Sequence, residues 1–302
     1  AGRQMPQHFG HKDLNIVSQS SPTGTQYLQA VGAGFVLKRQ NNGAVVYVSS
    51  GEGTTSQGDF HEALNWSSRE KAPVIYHIEN NKYAISVHIS EQTSGSSVYD
   101  ICAGYENLAR YNVDGCDYFE SKLAFSKAVN RARKGKGPSV IISDVVRLLP
   151  HSSSDDQRKY RTPEDLEADR DRDPILLFQK KCIDEKIASE NDFKIITESV
   201  HNQVEEDSDW VETQSAPDPV NVEKNLFSEE HTFQTLQFES TTPIGDKIVL
   251  VDAINHALDE ELTHNDNMLV YGQDVAGGKG GVFTATRSLT EKHGNDRVFN
   301  SP

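Results

Sequence analysis

The chain is short of cysteine, of basic residues and of long apolar runs. Its three cysteines, Cys102, Cys116 and Cys182, lie far apart in 302 residues and show none of the paired spacings that hold zinc. An odd, sparse count suits a reducing compartment, or simply a composition poor in cysteine. Lys and Arg total 30 against 45 Asp and Glu, a net charge of −15. A polyanion repels phosphate backbones, so nucleic acid is not an expected partner. No apolar stretch approaches the roughly 20 residues needed to cross a bilayer, so no membrane role is expected. No signal peptide is expected from the opening AGRQMPQHFG, which is polar, glycine-bearing and without an initiator Met. The length is enough for two domains, each with a core.

What is present centres on residues 51–83, GEGTTSQGDFHEALNWSSREKAPVIYHIENNKY. An apolar run at 44–48 precedes it, a helical pattern covers 59–68, and a second apolar run covers 74–78. The order predicts strand, acidic glycine turn, helix, strand and paired asparagines. Gly51 and Gly53 are expected to adopt positive φ and let backbone approach a diphosphate. Glu52 offers a hard carboxylate oxygen, and the second strand brings Asn81 to the neighbouring strand end. A carboxylate with an amide oxygen suits magnesium, which completes its shell with phosphate and water. An ordinary strand–helix–strand turn with exposed amides is the other reading of the same residues.

Along the chain, 1–26 is loop-like, with Pro22 and Gly24 preparing a helix over 25–38. Small residues at 30 and 32–34 predict tight packing of that helix. A polar loop is expected at 92–97, a helix at 98–111, a turn at 113–115, and an amphipathic helix at 120–134 with Leu123, Ala124, Ala128 and Val129 inward. A strand follows at 139–146, then an exposed polar loop at 147–161. Thr162-Pro163-Glu164-Asp165 starts a helix, and another runs from Asp173-Pro174 to 187. Alternating strands and helices predict an α/β fold with a parallel sheet and flanking helices. Residues 188–242 are acidic and read as a helical or linker segment, with linker punctuation at 215–219 and 240–243. From 243 a second α/β pattern opens, with Ile248, Val249, Val251, Ile254, Leu258 and Leu262 on one helical face, a strand at 268–271, a glycine-rich loop GQDVAGGKGGVF, a short helix ending at His293 and a strand at 298–300. The expected domains are 1–187, 188–242 and 243–302.

The glycine–acid–glycine turn, the 26-residue gap and Asn80-Asn81 resemble the thiamine-diphosphate motif, with Glu52 in place of the usual Asp. GRQMPQHFG at 2–10, SSPTGTQ at 20–26 and HSSSDDQRKYR at 151–161 resemble the first component of branched-chain 2-oxo acid dehydrogenase complexes. GQDVAGGKGGVF through KHGNDRVFNSP resembles the beginning of that enzyme's β subunit. The resemblance covers nearly the whole chain and is weakest over 188–242. It implies an internal fragment of an enzyme with fused α and β subunits, residues 1–187 being the thiamine-diphosphate-binding domain and 243–302 the start of the pyrimidine-binding one.

The resemblance also implies roles. Ser21 and the Thr23 carbonyl would contact the cofactor, and Gly51, Glu52, Gly53 and Thr54 would line the diphosphate. Glu52, Asn81 and the Tyr83 carbonyl would hold magnesium. Ser20, Pro22, Thr25 and Gln26 match a potassium site, or form a plain Ser-Pro helix cap. His151 matches a catalytic-loop histidine beside the cofactor, and imidazole can move protons near neutral pH. Ser152 matches a serine that animal enzymes phosphorylate. Arg147, Asp155, Asp156, Tyr160 and Arg161 would brace the loop by ion pairs, or form a solvated charged loop. His8 would reach toward the substrate, or stay on the surface. Asp59 and Glu62, at i and i+3, match acids of a proton relay between paired sites, or are ordinary acids near a helix start. Gln273 stands where that relay has a Glu.

The implied reaction is oxidative decarboxylation of branched-chain 2-oxo acids, with the acyl group passed to the lipoyl domain of an acyltransferase core. A homo-oligomer in the bacterial cytoplasm is the implied setting. The family's glutamate facing the cofactor's aminopyrimidine would fall after residue 302, and a Tyr–Arg pair gripping the diphosphate would fall before residue 1, so the fragment is expected not to turn over alone. A pyruvate or acetoin enzyme, a non-catalytic module binding the acyltransferase core, and an unrelated nucleotide-binding domain are the competing readings.

Overall fold

The computed structural model describes residues 8–221, 224, 245–278, 280–281 and 283–302. Its packing divides the chain into one unit ending at Pro217 and another beginning at Asp218. The predicted linker at 240–243 and the glycine-loop positions 279 and 282 lie outside the described residues.

In the first unit, helix α1 (Thr25–Gln40) precedes strand β1 (Val46–Gly51), which runs into a 3-10 turn, Glu52–Ser56, and helix α2 (Gly58–Glu70). Strand β2 (Val74–Asn80) follows, then a small hairpin of β3 (Tyr83–Ala84) and β4 (Val87–His88), and two short helices, α3 (Ile89–Gln92) and α4 (Val98–Ile101). Strand β5 (Ala109–Asp114), helix α5 (Tyr118–Arg133) and strand β6 (Ser139–Asp144) complete the sheet. Helices α6 (Pro163–Asp171), α7 (Pro174–Asp184) and α8 (Glu190–Glu212) come after it.

The sheet has the order β1-β2-β6-β5 with every neighbour parallel. Parallel strands must be buried on both faces, which explains the unbroken apolar runs. On one face α1 and α2 cover Val48, Val74, Tyr76, Ile78, Val140 and Ile142 with Tyr27, Val31, Phe60, Ala63 and Leu64. On the other, Ala124 and Ala128 of α5 pack on Ile75, Val113 and Ile141. The small residues of α1 do what their size allows. A methyl group on Gly34 would stand 2.6 Å from a Val74 methyl, so the helix backbone itself rests on the sheet.

The strand order also fixes where a ligand can enter. β1 leads to its neighbour β2 through α2 on one face, and β5 leads back to β6 through α5 on the other. The two connections therefore come in from opposite edges on opposite faces and meet at β2 and β6, and the crevice beyond the carboxyl ends of these strands is the topological switch point. Asn80 and Asp144 stand in register there.

Two expectations are corrected. The helix predicted over 98–111 stops at Ile101, and 109–114 is a strand. Gly104 and the left-handed Asn107 (φ 66°) break the helix, and Tyr111 and Val113 then point to one side at a spacing of two. Leu123 is not inward: it is 55 % exposed, and Phe125 takes its place against the sheet. Within 188–242 the reading as helix or linker resolves into 23 residues of regular helix, α8, opened by a Ser189–Asp192 capping box.

The second unit carries helix α9 (Leu250–His264), strand β7 (Val270–Gly272), helix α10 (Leu289–His293) and strand β8 (Val298–Asn300). β7 and β8 pair in parallel, and Leu262, Leu289 and Val298 form the core. Ile248 and Val249, expected on the α9 face, precede that helix and are exposed. Asp259 ties α9 to α10 through Lys292 and His293.

The placement of the main core is open to measurement. Leu64→Ala is expected to cost about 3 kcal/mol in urea unfolding and Leu123→Ala less than about 0.5 kcal/mol. Equal losses at the two positions would contradict it.

Candidate functional site

Strand β1 ends at Gly51 and delivers Glu52 to the first position of the 3-10 turn, where the side chain is 1 % exposed. Strand β2 ends beside it. The Asn81 backbone N–H donates to Glu52 Oε2 at 3.1 Å, and the Asn81 side-chain oxygen accepts from the Tyr83 N–H at 3.0 Å. The acid and the amide thus meet at one turn. The second carboxylate oxygen, Glu52 Oε1, is buried with no hydrogen-bond partner among the described residues. Burial pushes the Glu52 carboxyl above the usual carboxylate range, opposed by backbone N–H donors and by Arg147.

The glycines of the turn serve a different purpose from the one their motif suggests. Gly51 is extended (φ −76°, ψ 164°), and neither Gly51 nor Gly53 is left-handed. Gly53 is required by packing: a Cβ there would lie 2.7 Å from Ala84 Cβ, because hairpin strand β3 lies against the turn. Gln92, which the sequence places in a featureless polar loop, closes the other side of the turn. Its Nε2 donates to the Glu52 carbonyl at 3.3 Å and to Ser56 Oγ at 3.2 Å. No local signal marks that residue.

The loop before α1 joins the same turn. Gly24 is left-handed (φ 96°) and close to Gln57 and Thr54, and Ser21 and Thr23 in the loop before it are both exposed. Ser21 Oγ and His8 Nε2 are 3.2 Å apart. Ser20 Oγ is hydrogen-bonded to Thr25 Oγ1, which donates to the Pro22 carbonyl at 3.1 Å, so these three oxygens converge. Gln26 Oε1 accepts from the Gly24 N–H instead.

Beyond β6, Arg147 crosses the switch-point crevice. It donates to the Ile85 carbonyl at 2.7 Å and to Tyr160 Oη at 2.6 Å, and its guanidinium lies 5.5 Å from the Tyr83 ring centre. Ile85 is left-handed (φ 55°), a rare conformation for a β-branched residue, and Arg147 holds the carbonyl of that turn. Tyr160 donates to Asp155 Oδ2 at 2.7 Å, and the same oxygen accepts from the His151 N–H at 2.9 Å. Those two donors hold the Asp155 carboxyl below its ordinary range. The predicted ion pairs are therefore partly replaced by neutral hydrogen bonds. Arg161 pairs with Asp169 at 2.7 Å and stacks over Tyr83, whereas Asp156 pairs only locally with Arg158. His151 and Ser152 are exposed on this loop.

A charged cluster at the same sheet edge was not anticipated. Arg172 bridges Asp114 and Asp144 at the ends of β5 and β6, and Lys82 lies 3.8 Å from Asp144. Asp59 is half-buried and Glu62 exposed on the first turns of α2, and Gln273 is exposed just after β7 in the second unit. Among the described residues no cluster of three or more His, Cys, Asp or Glu could hold a metal, so an ion at Glu52 would need amide, carbonyl or non-protein oxygens. All three cysteines are free and buried. Among the described residues no helix is long and apolar enough to cross a membrane.

Comparison with known proteins fits this geometry. The chain is 38 % identical over 216 residues to the 2-oxoisovalerate dehydrogenase subunit alpha of Bacillus subtilis, covering 72 % of this chain and 64 % of that one. It is 34 % identical over 219 residues to the human mitochondrial 2-oxoisovalerate dehydrogenase subunit alpha, covering 72 % and 49 %. With the 3-methyl-2-oxobutanoate dehydrogenase subunit alpha of Mycobacterium tuberculosis it shares 36 % over 171 residues, 57 % and 46 %. It thus spans between about half and two thirds of the curated relatives it matches. The family model described as dehydrogenase E1 component matches residues 1–220, so the chain belongs to the dehydrogenase E1 component family.

Proposed function

We propose that this chain binds thiamine diphosphate through a magnesium ion at the Glu52–Asn81–Tyr83 turn, within an enzyme that oxidatively decarboxylates branched-chain 2-oxo acids. One observation carries the reading: a carboxylate 1 % exposed with one oxygen unpartnered. A buried charge in that state is costly unless a cation meets it. The donors fit magnesium, with a carboxylate oxygen, the Asn81 amide oxygen and the Tyr83 carbonyl leaving the remaining positions to phosphate and water. The Asn81 oxygen would exchange its bond from the Tyr83 N–H for this role.

When bound, thiamine diphosphate supplies the electron sink for loss of carbon dioxide from a 2-oxo acid. The residues present supply binding and proton handling. Gly51 to Thr54 would line the diphosphate, with Ser21 and the Thr23 carbonyl as further contacts. His151 stands exposed on a loop whose base is held by Asp155, Tyr160 and Arg147, where its ring can give or take a proton. The names of the relatives support the branched-chain substrate class. Transfer of the acyl group to a lipoyl domain of an acyltransferase core, and assembly as a homo-oligomer, complete the proposal. Potassium would sit among Ser20 Oγ, the Pro22 carbonyl and Thr25 Oγ1, where three oxygens already meet.

Two experiments test the ion site. Calorimetry with thiamine diphosphate and magnesium is expected to show binding by the full chain and at least a roughly tenfold loss in Glu52→Ala. Unchanged affinity in that variant would sink the assignment. The second uses linkage. Because the folded-state carboxyl holds its proton to higher pH than the unfolded one, the site costs nothing below the ordinary carboxylate pKa. Its cost grows as pH rises toward the raised value. In metal-free buffer Glu52→Gln should therefore melt higher than wild type at about pH 8, with the gap closing toward about pH 4.5. For substrate class, the complete enzyme should turn over 3-methyl-2-oxobutanoate faster than pyruvate with an artificial electron acceptor.

A further inference from the structure

Glu52 sits on main chain that is poorly suited to hold it still. A glycine flanks it on each side, and glycine restrains its own backbone less than any other residue. The carboxylate is fixed all the same: it is 1 % exposed, and Oε2 takes the Asn81 N–H at 3.1 Å. That bond secures the tip of the side chain. The main chain that carries it needs a hold of its own.

Helix α3 supplies one from 40 residues further on. Ile89 anchors this helix: it is 4 % exposed in the main core, and its N–H donates to the Lys82 carbonyl at 2.8 Å. Gln92 ends the helix and sets its amide against the turn. A primary amide nitrogen has two protons, and two acceptors meet this one: the Glu52 carbonyl at 3.3 Å and Ser56 Oγ at 3.2 Å. These are the first and last residues of the 3-10 turn, so one nitrogen spans it from end to end. The Glu52 carbonyl can only accept, which fixes which way the amide faces. Nε2 also lies 3.7 Å from where a Gly53 Cβ would stand, against the open side of that glycine. Thr55 Oγ1 donates to the same carbonyl at 2.6 Å, but that bond closes the turn on itself. The bond from Gln92 ties it to an element seated in the core.

We infer that Gln92 is a positioning residue: it holds the Glu52 main chain, and through it the angle at which the buried carboxylate meets a divalent ion. The inference rests on the ion-site reading of Glu52. Residues that orient a metal ligand from behind are worth about tenfold or more in metal affinity.

The test uses the full chain with saturating thiamine diphosphate and divalent manganese, whose paramagnetic resonance reports both the free ion and the symmetry of the bound one. Gln92→Met keeps the length of the side chain and removes both donors. It is expected to weaken manganese binding by about tenfold and to change the bound-ion spectrum, while melting within about 3 °C of wild type in metal-free buffer. Ser56→Ala, at an exposed position, removes one of the two acceptors and should weaken binding roughly twofold. Its effect should vanish in the Gln92→Met background, where that bond is already gone. Wild-type affinity and spectrum in Gln92→Met, beside a Glu52→Ala variant that loses the ion, would overturn the inference and leave the ion site standing. Wild-type affinity in Glu52→Ala would remove the ion site, and the role of Gln92 with it. Weaker binding in Gln92→Met that comes with a lowered melting temperature and an unchanged bound-ion spectrum would assign Gln92 to general packing, and would also overturn the inference.

Discussion

A carboxylate withdrawn from water at the end of an edge strand sets the terms for the rest of this fold. Glu52 is sealed between the 3-10 turn, the start of hairpin β3–β4 and Gln92. Its one satisfied oxygen takes the Asn81 N–H, which registers the end of β2 against the end of β1. Everything that closes the turn also deepens the desolvation of the charge. The arrangement therefore favours neutralisation, by a proton or by a cation.

That turn is tied to distant sequence by a few strong donors. Arg147 leaves the end of β6 and reaches the hairpin carbonyl of Ile85, while its second nitrogen holds Tyr160. Arg161 stacks on the same Tyr83 ring and is anchored by Asp169 on α6. Two guanidinium groups thus clamp one aromatic ring, and the loop bearing His151 hangs from that clamp through Asp155. Cation–π contacts and charge-assisted hydrogen bonds suit this because they are directional and tolerate partial exposure.

How much could be read from the sequence follows the range of the interactions. Strands β1, β2 and β6 were legible as apolar runs, and the pairing of Glu52 with Asn81 as a spacing, because a strand–helix–strand unit fixes both ends locally. Strand β5 was not: Val98, Ile101 and Leu108 extend a helical pattern that Asn107 interrupts only through its backbone conformation. Leu123 looked inward by periodicity, but Phe125 is the large side chain that packs against the sheet beneath α5. Gln92 and the Arg147–Ile85 contact had no local signature, because their partners lie 40 and 62 residues away. In α8 the abundance of acids hid an i, i+4 rhythm that the backbone makes plain.

The close approach of Gly53 to Ala84 has a consequence for how this turn can vary. The two positions share one small volume, and either can grow only if the other shrinks or the hairpin lifts away. Intolerance of larger side chains at 53 would arise even in a variant that had lost every contact with phosphate. Any covariation between 53 and 84 would thus be a signature of steric economy rather than a trace of cofactor recognition.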